Sequence, residues 1–316
     1  MRGLFVGTVV ATLALSLGLP LSGQEHFASR KVIRIGIVAR DAAKTAAAYA
    51  GTFGLPAPAP LTNNPATAAR ATEVQFDNLV VEVAEPLAGS GPLKTYLDTY
   101  GEGLHHVAFA VPDVSAQARF LESKGGTRLL TSGSDYALVD LRTTLGVNIA
   151  LHKGTSTPLT DEELKVKATQ RASGGIRTLA RIGLMVPETD KARAAYMDIF
   201  GVSLPNPVNE QGALKFPEGF TGDTKSGMRH IFMPFDNLWI NVIQPIGGES
   251  PWRDMLTRHD GYLLFAVDNV EEQAQALEKK GGTRTLGQPG TAYAYVDMQK
   301  SLGMTVFLLR SGVLPR

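Results

Sequence analysis

The sequence predicts an α+β protein that contains two tandem copies of one domain, each built from two βαβββ-like modules. Two observations predict this class. Runs in which apolar positions alternate with others, as half-buried strands require, are separated by amphipathic stretches typical of helices. In addition, the second half of the chain repeats the first, which indicates a duplicated unit.

The internal repeat rests on four short segments that return at a nearly constant spacing. Each recurs in the second half 156 to 159 positions later. The pairs are Phe76-Asp77-Asn78-Leu79 with Phe235-Asp236-Asn237-Leu238, Phe109-Ala110-Val111 with Phe265-Ala266-Val267, Lys124-Gly125-Gly126-Thr127-Arg128 with Lys280-Gly281-Gly282-Thr283-Arg284, and Leu145-Gly146-Val147 with Leu302-Gly303-Met304. Because these pairs span several elements, they predict a tandem duplication.

The first module begins with a strand over residues 32–38, in which Arg34 and Gly36 lie on the face opposite to the isoleucines. Asp41 can cap the Ala-rich helix that follows, and Gly54 ends it. Residues 72–84 predict a hairpin closed at Asp77-Asn78. A short helix over 93–100 then leads to the second module.

The second module opens with residues 101–114, where two adjacent histidines precede an alternating apolar run. His106 shares a face with Ala108 and Ala110, whereas His105 is expected to point the other way. A helix over 115–124 and strands over 136–141 and 147–151 complete the module.

The polar, poorly patterned residues 154–175 are typical of an interdomain linker. The pattern then restarts with a strand over 179–186, a helix over 190–200 and a hairpin over 230–243. We therefore predict a signal peptide at 1–23, a first domain at 31–152, a linker at 153–176 and a second domain at 177–310.

The composition excludes several functional classes. With 31 Lys and Arg against 30 Asp and Glu, the formal net charge is +1, so the basic excess typical of nucleic-acid binding is missing. The chain has no cysteine, which excludes disulfides, thiolate nucleophiles and cysteine-ligated metals. An apolar content of 44% allows a packed core.

The N-terminus has the order of a secretory signal peptide. Arg2 precedes an apolar run over 4–19, Pro20 breaks it, and Ser22-Gly23 supplies small residues for cleavage near Gly23. The run is shorter than the roughly 20 apolar residues that a membrane span needs. We expect a periplasmic or secreted mature chain without membrane association.

Two segments carry a family resemblance: Glu82-Val83-Ala84-Glu85-Pro86-Leu87, and Gly101-Glu102-Gly103-Leu104-His105-His106-Val107-Ala108-Phe109. They resemble the vicinal oxygen chelate superfamily of glyoxalases, bleomycin-resistance proteins and dioxygenases, and are most similar in motif to methylmalonyl-CoA epimerases. The resemblance covers residues 31–152 and, more weakly, 177–310. It implies that each pair of modules forms an open barrel whose inner face holds a divalent metal.

The implied metal ligands are histidines and carboxylates at four strand positions in each domain. The first domain retains two of the four; its residues there are Arg34, Glu82, His106 and Ala150. The second domain retains none; its residues are Arg181, Asn241, Tyr262 and Phe307. Two protein ligands rarely hold a metal selectively.

Arg34 argues against a metal because a guanidinium has no lone pair to donate and would repel a cation. It predicts instead an ion pair with Glu82. His152, two residues after Ala150 on the same strand face, could replace the lost carboxylate and complete a metal triad with Glu82 and His106. The cofactor alternatives are therefore one divalent ion in the first domain, or none.

The candidate catalytic residues are Glu82 and His106. His106 could be a metal ligand or general base, or a pocket histidine held by a neighbour. An epimerase-like proton transfer needs acid/base groups on opposite faces of the substrate, and only Glu82 stands at a matching position. The sequence thus predicts that an epimerase-like mechanism lacks its second acid/base group.

The candidate ligand-binding residues are Arg34, Arg181, Trp239, Asn241 and Tyr262. The two arginines are equivalent and could each recognise a carboxylate or phosphate, or form a structural pair. The other three predict either an apolar cleft with a few polar groups or a filled core.

Two functions follow. The first is an exported protein that binds a small anionic molecule and whose metal sites are largely degraded. The alternative is a divalent-metal-dependent isomerase or lyase with its site in the first domain. The expected partner is a small-molecule ligand, and the sequence leaves catalysis and oligomeric state open.

Overall fold

The structure, a computed structural model, describes residues 27–64, 67–87, 89, 91–155, 175–202, 226–247 and 251–312. The predicted signal peptide and most of the predicted linker lie outside these residues, so both stay predictions.

The first half folds into a mixed sheet of eight strands. These are β1 (Val32–Val38), β2 (Thr62–Asn64), β3 (Ala69–Gln75), β4 (Val80–Pro86), β5 (Gly103–Val111), β6 (Thr127–Ser132), β7 (Tyr136–Asp140) and β8 (Asn148–Lys153), joined through α1 (Ala42–Phe53), α2 (Pro92–Tyr100), α3 (Val114–Ser123) and α4 (Arg142–Leu145). Their order is β2-β3-β4-β1-β5-β8-β7-β6. Each module contributes four adjacent strands, and β1 pairs antiparallel with β5 at the centre.

The second half repeats this arrangement with seven described strands in the order β10-β11-β9-β12-β15-β14-β13. The strands are β9 (Leu179–Met185), β10 (Ser226–Pro234), β11 (Trp239–Gly247), β12 (Gly261–Val267), β13 (Thr283–Leu286), β14 (Tyr293–Asp297) and β15 (Thr305–Arg310), and the helices are α5 (Thr189–Phe200), α6 (Pro251–Thr257), α7 (Val270–Lys279) and α8 (Gln299–Leu302). The predicted α+β class and the tandem, paired-module architecture are confirmed.

The local signals act as predicted at the ends of α1. The Asp41 side chain accepts a hydrogen bond from the Lys44 amide at 2.9 Å, which satisfies one of the free amides of the first turn. Gly54 ends the helix with a positive φ of 63°, a conformation that a side chain disfavours.

The predictions missed the short elements β2, β6, α4 and α6, together with β13 and α8, the second-half equivalents of β6 and α4, because a segment of three to seven residues is too short to show a period. The larger difference is at His105. A register shift between β1 and β5 pairs Gly36 with His106 but Ile37 with Leu104, so strict alternation fails between them. As a result His105 contacts His106 instead of pointing away from it.

One apolar core joins the two halves. It contains buried side chains from α1, α3, α5 and α7 and from the helix-facing sides of both sheets. Aromatic pairs cross between the halves, with ring centroids 4.8 Å apart for Phe53 and Phe265 and 5.4 Å apart for Phe109 and Phe200. The sheet faces that carry the predicted site residues therefore point away from this core.

Reciprocal hydrogen bonds also join the halves. The side-chain amide of Asn78 donates to the backbone carbonyls of Leu179 and Asn237. In return, the side-chain amide of Asn237 donates to the backbone carbonyls of Val32 and Asn78. These asparagines belong to the repeated Phe-Asp-Asn-Leu segment, so the duplicated sequence supplies both sides of the interface. Among the described helices, none combines the length and apolar character needed to cross a bilayer.

Candidate functional site

His106 lies at the centre of the first sheet, on the face away from the shared core. It pairs with Gly36 of β1 and Asn148 of β8. Its imidazole sits where a side chain on Gly36 would be, since an ideal Cβ there would be 1.9 Å from His106 Cε1. The glycine therefore provides the space in which the histidine lies.

His106 is held by the second histidine of the pair. Its Nδ1 is 3.2 Å from Nδ1 of His105, whose Nε2 is 3.3 Å from Nδ2 of Asn148. Burial lowers the pKa of His105 to about 3. Burial, followed by the charges of His105, His152 and Arg34, lowers the pKa of His106 well below its usual value. Both imidazoles are neutral at pH 7, and a base this weak is poorly matched to proton abstraction there.

Arg34 forms the predicted ion pair with Glu82. Its Nη1 is 3.2 Å from Glu82 Oε2, and its Nη2 is 2.5 Å from Oε1 of Glu73, the neighbour of Glu82 across β3 and β4. Burial raises the pKa of Glu82, and the nearby guanidinium lowers it. Two carboxylates thus pair with one arginine at the first-strand ligand position.

This donor set does not fit a divalent metal. The guanidinium of Arg34 donates a hydrogen bond to the Glu82 carboxylate, which a metal would need as a ligand. Over the described part of the chain, no three His, Asp or Glu side chains are grouped so that they could hold a metal ion. His152 lies on β8 beside Ala110, with its ring 5.0 Å from that of Tyr136, and its charge contributes to the lowered pKa of His106. Within the described residues, His152, His106 and Glu82 are not grouped as the predicted metal triad requires.

In the second sheet Tyr262 takes the place of His106. It pairs with Gly183, and an ideal Cβ there would be 2.1 Å from Tyr262 Cε1. The Asn241 amide donates a hydrogen bond to the Tyr262 hydroxyl, and Tyr295 also hydrogen-bonds this hydroxyl. Asn241 Oδ1 is buried and accepts no hydrogen bond. Burial raises the pKa of Tyr262 to about 12, so it stays protonated.

Arg181 differs from its counterpart Arg34 in its surroundings. Only 5% of its surface is exposed, and its buried Nε donates no hydrogen bond. Its Cζ lies 4.3 Å from the centre of the Phe232 ring, and the described residues supply it with no carboxylate. Burial lowers its pKa to about 10, so the side chain still carries its charge at pH 7.

Two further predicted residues, Trp239 and Phe307, lie on the second sheet. Trp239 pairs with Arg181 at the start of β11 and is half-buried, two residues before Asn241. Phe307 stacks on Tyr295 at 3.9 Å between ring centroids and forms part of the apolar wall, as expected for its inward position.

Sequence reasoning missed three residues that define the sites: Glu73, Phe232 and Tyr295. Glu73 and Phe232 are separated by the same 159 positions as the Phe-Asp-Asn-Leu repeat, so the offset was available as a signal. Tyr295 stands at the position of Leu138 in the first half, a buried apolar residue, so the repeat does not mark it.

Comparison with known proteins agrees with this architecture. Residues 34–138 match the Glyoxalase/Bleomycin resistance protein/Dioxygenase superfamily. A curated relative, mitochondrial methylmalonyl-CoA epimerase of Bos taurus, is 24% identical over 106 residues, which are 32% of this chain and 53% of that protein. The chain thus spans about half the length of this relative.

Two solved structures are also similar. A mutant of 4-hydroxymandelate synthase from Streptomyces coelicolor superposes with a TM-score of 0.59 over 89% of this chain and 92% of that one, at 14% identity. This likeness covers both halves and shows the fold. Methylmalonyl-CoA epimerase of Streptomyces coelicolor, in complex with 2-nitronate-propionyl-CoA, has 23% identity and a TM-score of 0.35 over 40% of this chain and 98% of that one.

The predicted resemblance is therefore confirmed. Residues 34–138 carry the match to the glyoxalase, bleomycin-resistance protein and dioxygenase superfamily, also called the vicinal oxygen chelate superfamily.

Proposed function

We propose that the protein binds a small anionic molecule on the inner face of its second domain. One observation carries the proposal: Arg181 is a buried cation to which the described residues supply no carboxylate. In the first domain the equivalent arginine, Arg34, pairs with two glutamates of the same chain.

The energetic argument is the cost of a buried charge. Removing an ion from water without a counter-ion costs several kcal/mol, on the order of 20 kcal/mol in the idealised limit. The face of Phe232 offsets part of this cost, typically about 0.5–2 kcal/mol for a cation–π contact. A bound anion offsets much more, and a ligand that supplies it gains affinity from the same charge.

We also propose that the chain is exported to the periplasm or secreted. Support comes from the order of the N-terminal residues: a positive start, an apolar run over 4–19, and small residues at Ser22-Gly23. The mass of the mature protein tests this directly, since cleavage near Gly23 removes a defined N-terminal segment.

Mass spectrometry of the natively purified protein tests the binding proposal. We expect a small anion to be retained by the wild type and by Arg34→Gln, and to be lost from Arg181→Gln. The two substitutions are matched, because they remove the same group from equivalent positions. Retention of the same anion by Arg181→Gln would overturn the proposal.

A further inference from the structure

We infer that the ligand of the second domain is a small monocarboxylate with an apolar body, whose carboxylate takes the place that Glu82 has in the first domain. The inference rests on the proposed function and names its ligand class. It follows from a comparison of the two arginines that the duplication made equivalent.

The strand register identifies the equivalent positions. In the first sheet Gly36 pairs with Glu82, which pairs with Glu73. In the second sheet Gly183 pairs with Asn241, which pairs with Phe232. Asn241 and Phe232 therefore stand where the first domain has the two carboxylates that bind Arg34.

The second domain has thus kept the arginine and replaced both of its acids with uncharged residues. Phe232 covers one side of the guanidinium at 4.3 Å and allows no hydrogen bond there. Asn241 is one methylene shorter than glutamate, and its amide is committed to Tyr262. Among the residues that the structure describes, none supplies Arg181 with the carboxylate that pairs with Arg34, and we infer that a ligand supplies it.

The charge of the site selects a monoanion. His230 is a second basic group near Arg181, and burial, with a smaller contribution from Arg181, lowers its pKa to about 4, so it is neutral at pH 7. A single positive charge in a buried site balances a single negative charge, whereas a phosphate monoester would bring close to two. This favours a carboxylate over a phosphate.

The walls of the site select the rest of the ligand. Tyr262, Tyr295, Phe307 and Trp252 belong to one apolar cluster on this face. Because this cluster is apolar, an apolar body on the ligand is compatible with it. Asn241 Oδ1 is a buried acceptor without a donor, which a hydroxyl or N–H on the ligand would satisfy.

The test supplies the missing carboxylate from the protein. Asn241→Glu places a glutamate at the position of Glu82, where it can pair with Arg181. We expect this variant to have a higher Tm than the ligand-free wild type. We also expect its affinity for benzoate, measured by isothermal titration, to fall about 30-fold or more, because the guanidinium is already paired. Asn241→Gln has the same length without the charge, so its affinity should fall less than that of Asn241→Glu.

The ligand panel separates this inference from the proposed function. For the wild type we expect benzoate or acetate to raise the Tm, and benzamide and inorganic phosphate not to. Stabilisation by phosphate alone, lost in Arg181→Gln, would overturn the carboxylate assignment and leave the anion proposal standing. Benzoate binding that both Asn241→Glu and Arg181→Gln leave unchanged would overturn the location. If neither the carboxylates nor phosphate stabilise the wild type more than Arg181→Gln, both proposals fail.

Discussion

The imidazole of His106 fills the space that a side chain on Gly36 would occupy, with only 1.9 Å between an ideal Cβ and His106 Cε1. The same relationship holds for Tyr262 and Gly183 at 2.1 Å. The duplication has therefore conserved the contact between a glycine of the first strand and a ring of the facing strand, although the ring itself has changed.

Gly36→Ala should be strongly destabilising. The added methyl group would force the His106 ring out of a buried position, and overpacking of this kind costs typically about 1–3 kcal/mol. Urea unfolding of the variant measures the loss. Gly51→Ala is the control: it lies in α1 with no atom within 4 Å of its ideal Cβ, and should raise stability by about 0.5–1 kcal/mol. Equal effects of the two substitutions would contradict the account.

Asn78→Ala should destabilise the interface between the two halves and lower the free energy of unfolding. The substitution removes Nδ2, which donates to the Leu179 carbonyl at 2.8 Å, and Oδ1, which accepts from the Leu179 backbone N–H at 3.1 Å. The carbonyl and the N–H of Leu179, both partly buried, lose these partners. A loss of about 1–3 kcal/mol is expected in chemical unfolding. Asn63→Ala, at an exposed position of β2, should change stability by less than about 0.5 kcal/mol.

The wild type should unfold in one cooperative transition, because a single core spans both halves. Two separated transitions, or an unchanged stability of Asn78→Ala, would show that the halves are independent.

Stability should fall as the pH is lowered from about 6.5 to 4. Burial lowers the pKa of His152 to about 4 and that of His105 to about 3. Over this range these histidines bind protons in the unfolded chain but not in the folded protein. Each histidine therefore lowers the free energy of unfolding by up to about 1.4 kcal/mol for each pH unit. His152→Gln should reduce the slope of unfolding free energy against pH by about one proton. A slope identical to that of the wild type would contradict the assigned burial of His152.

The first domain should regain metal binding when its lost ligands are restored. Arg34→His together with Ala150→Glu would rebuild, with Glu82 and His106, the four positions implied by the superfamily. Co²⁺ should then stabilise the double variant, by about 2.7 kcal/mol at one hundred times its Kd. The wild type should not respond, because Arg34 holds Glu82. A wild-type response that is abolished by His106→Ala would instead support the metal-dependent alternative.

The fold was predictable from the sequence because it rests on signals that are local or repeated. The alternation in β1, the cap at Asp41 and the Phe-Asp-Asn-Leu repeat each point to the same architecture. The strand faces also followed, so Arg34, Glu82 and His106 were correctly assigned to one side of the sheet.

The relations between strands were less predictable. The register shift that brings the His105 side chain against His106 cannot be predicted from the alternation of apolar and polar residues. Glu73 was overlooked as a partner of Arg34 because alternation identifies the face of a residue and not its neighbour on the next strand. The contact between Arg181 and Phe232 is likewise a relation between strands that alternation does not predict, although the repeat offset relates Phe232 to Glu73.

The most direct test of the central claim is the unfolding free energy of Arg181→Met beside that of Arg34→Met, each measured without ligand. Replacing an unbalanced buried charge by an apolar side chain of similar length should stabilise the protein, by about 1–4 kcal/mol. Arg34→Met should have the opposite sign, because it leaves Glu82 and Glu73 without their partner. Destabilisation of both variants by similar amounts would show that Arg181 is already balanced within the chain and would contradict the account.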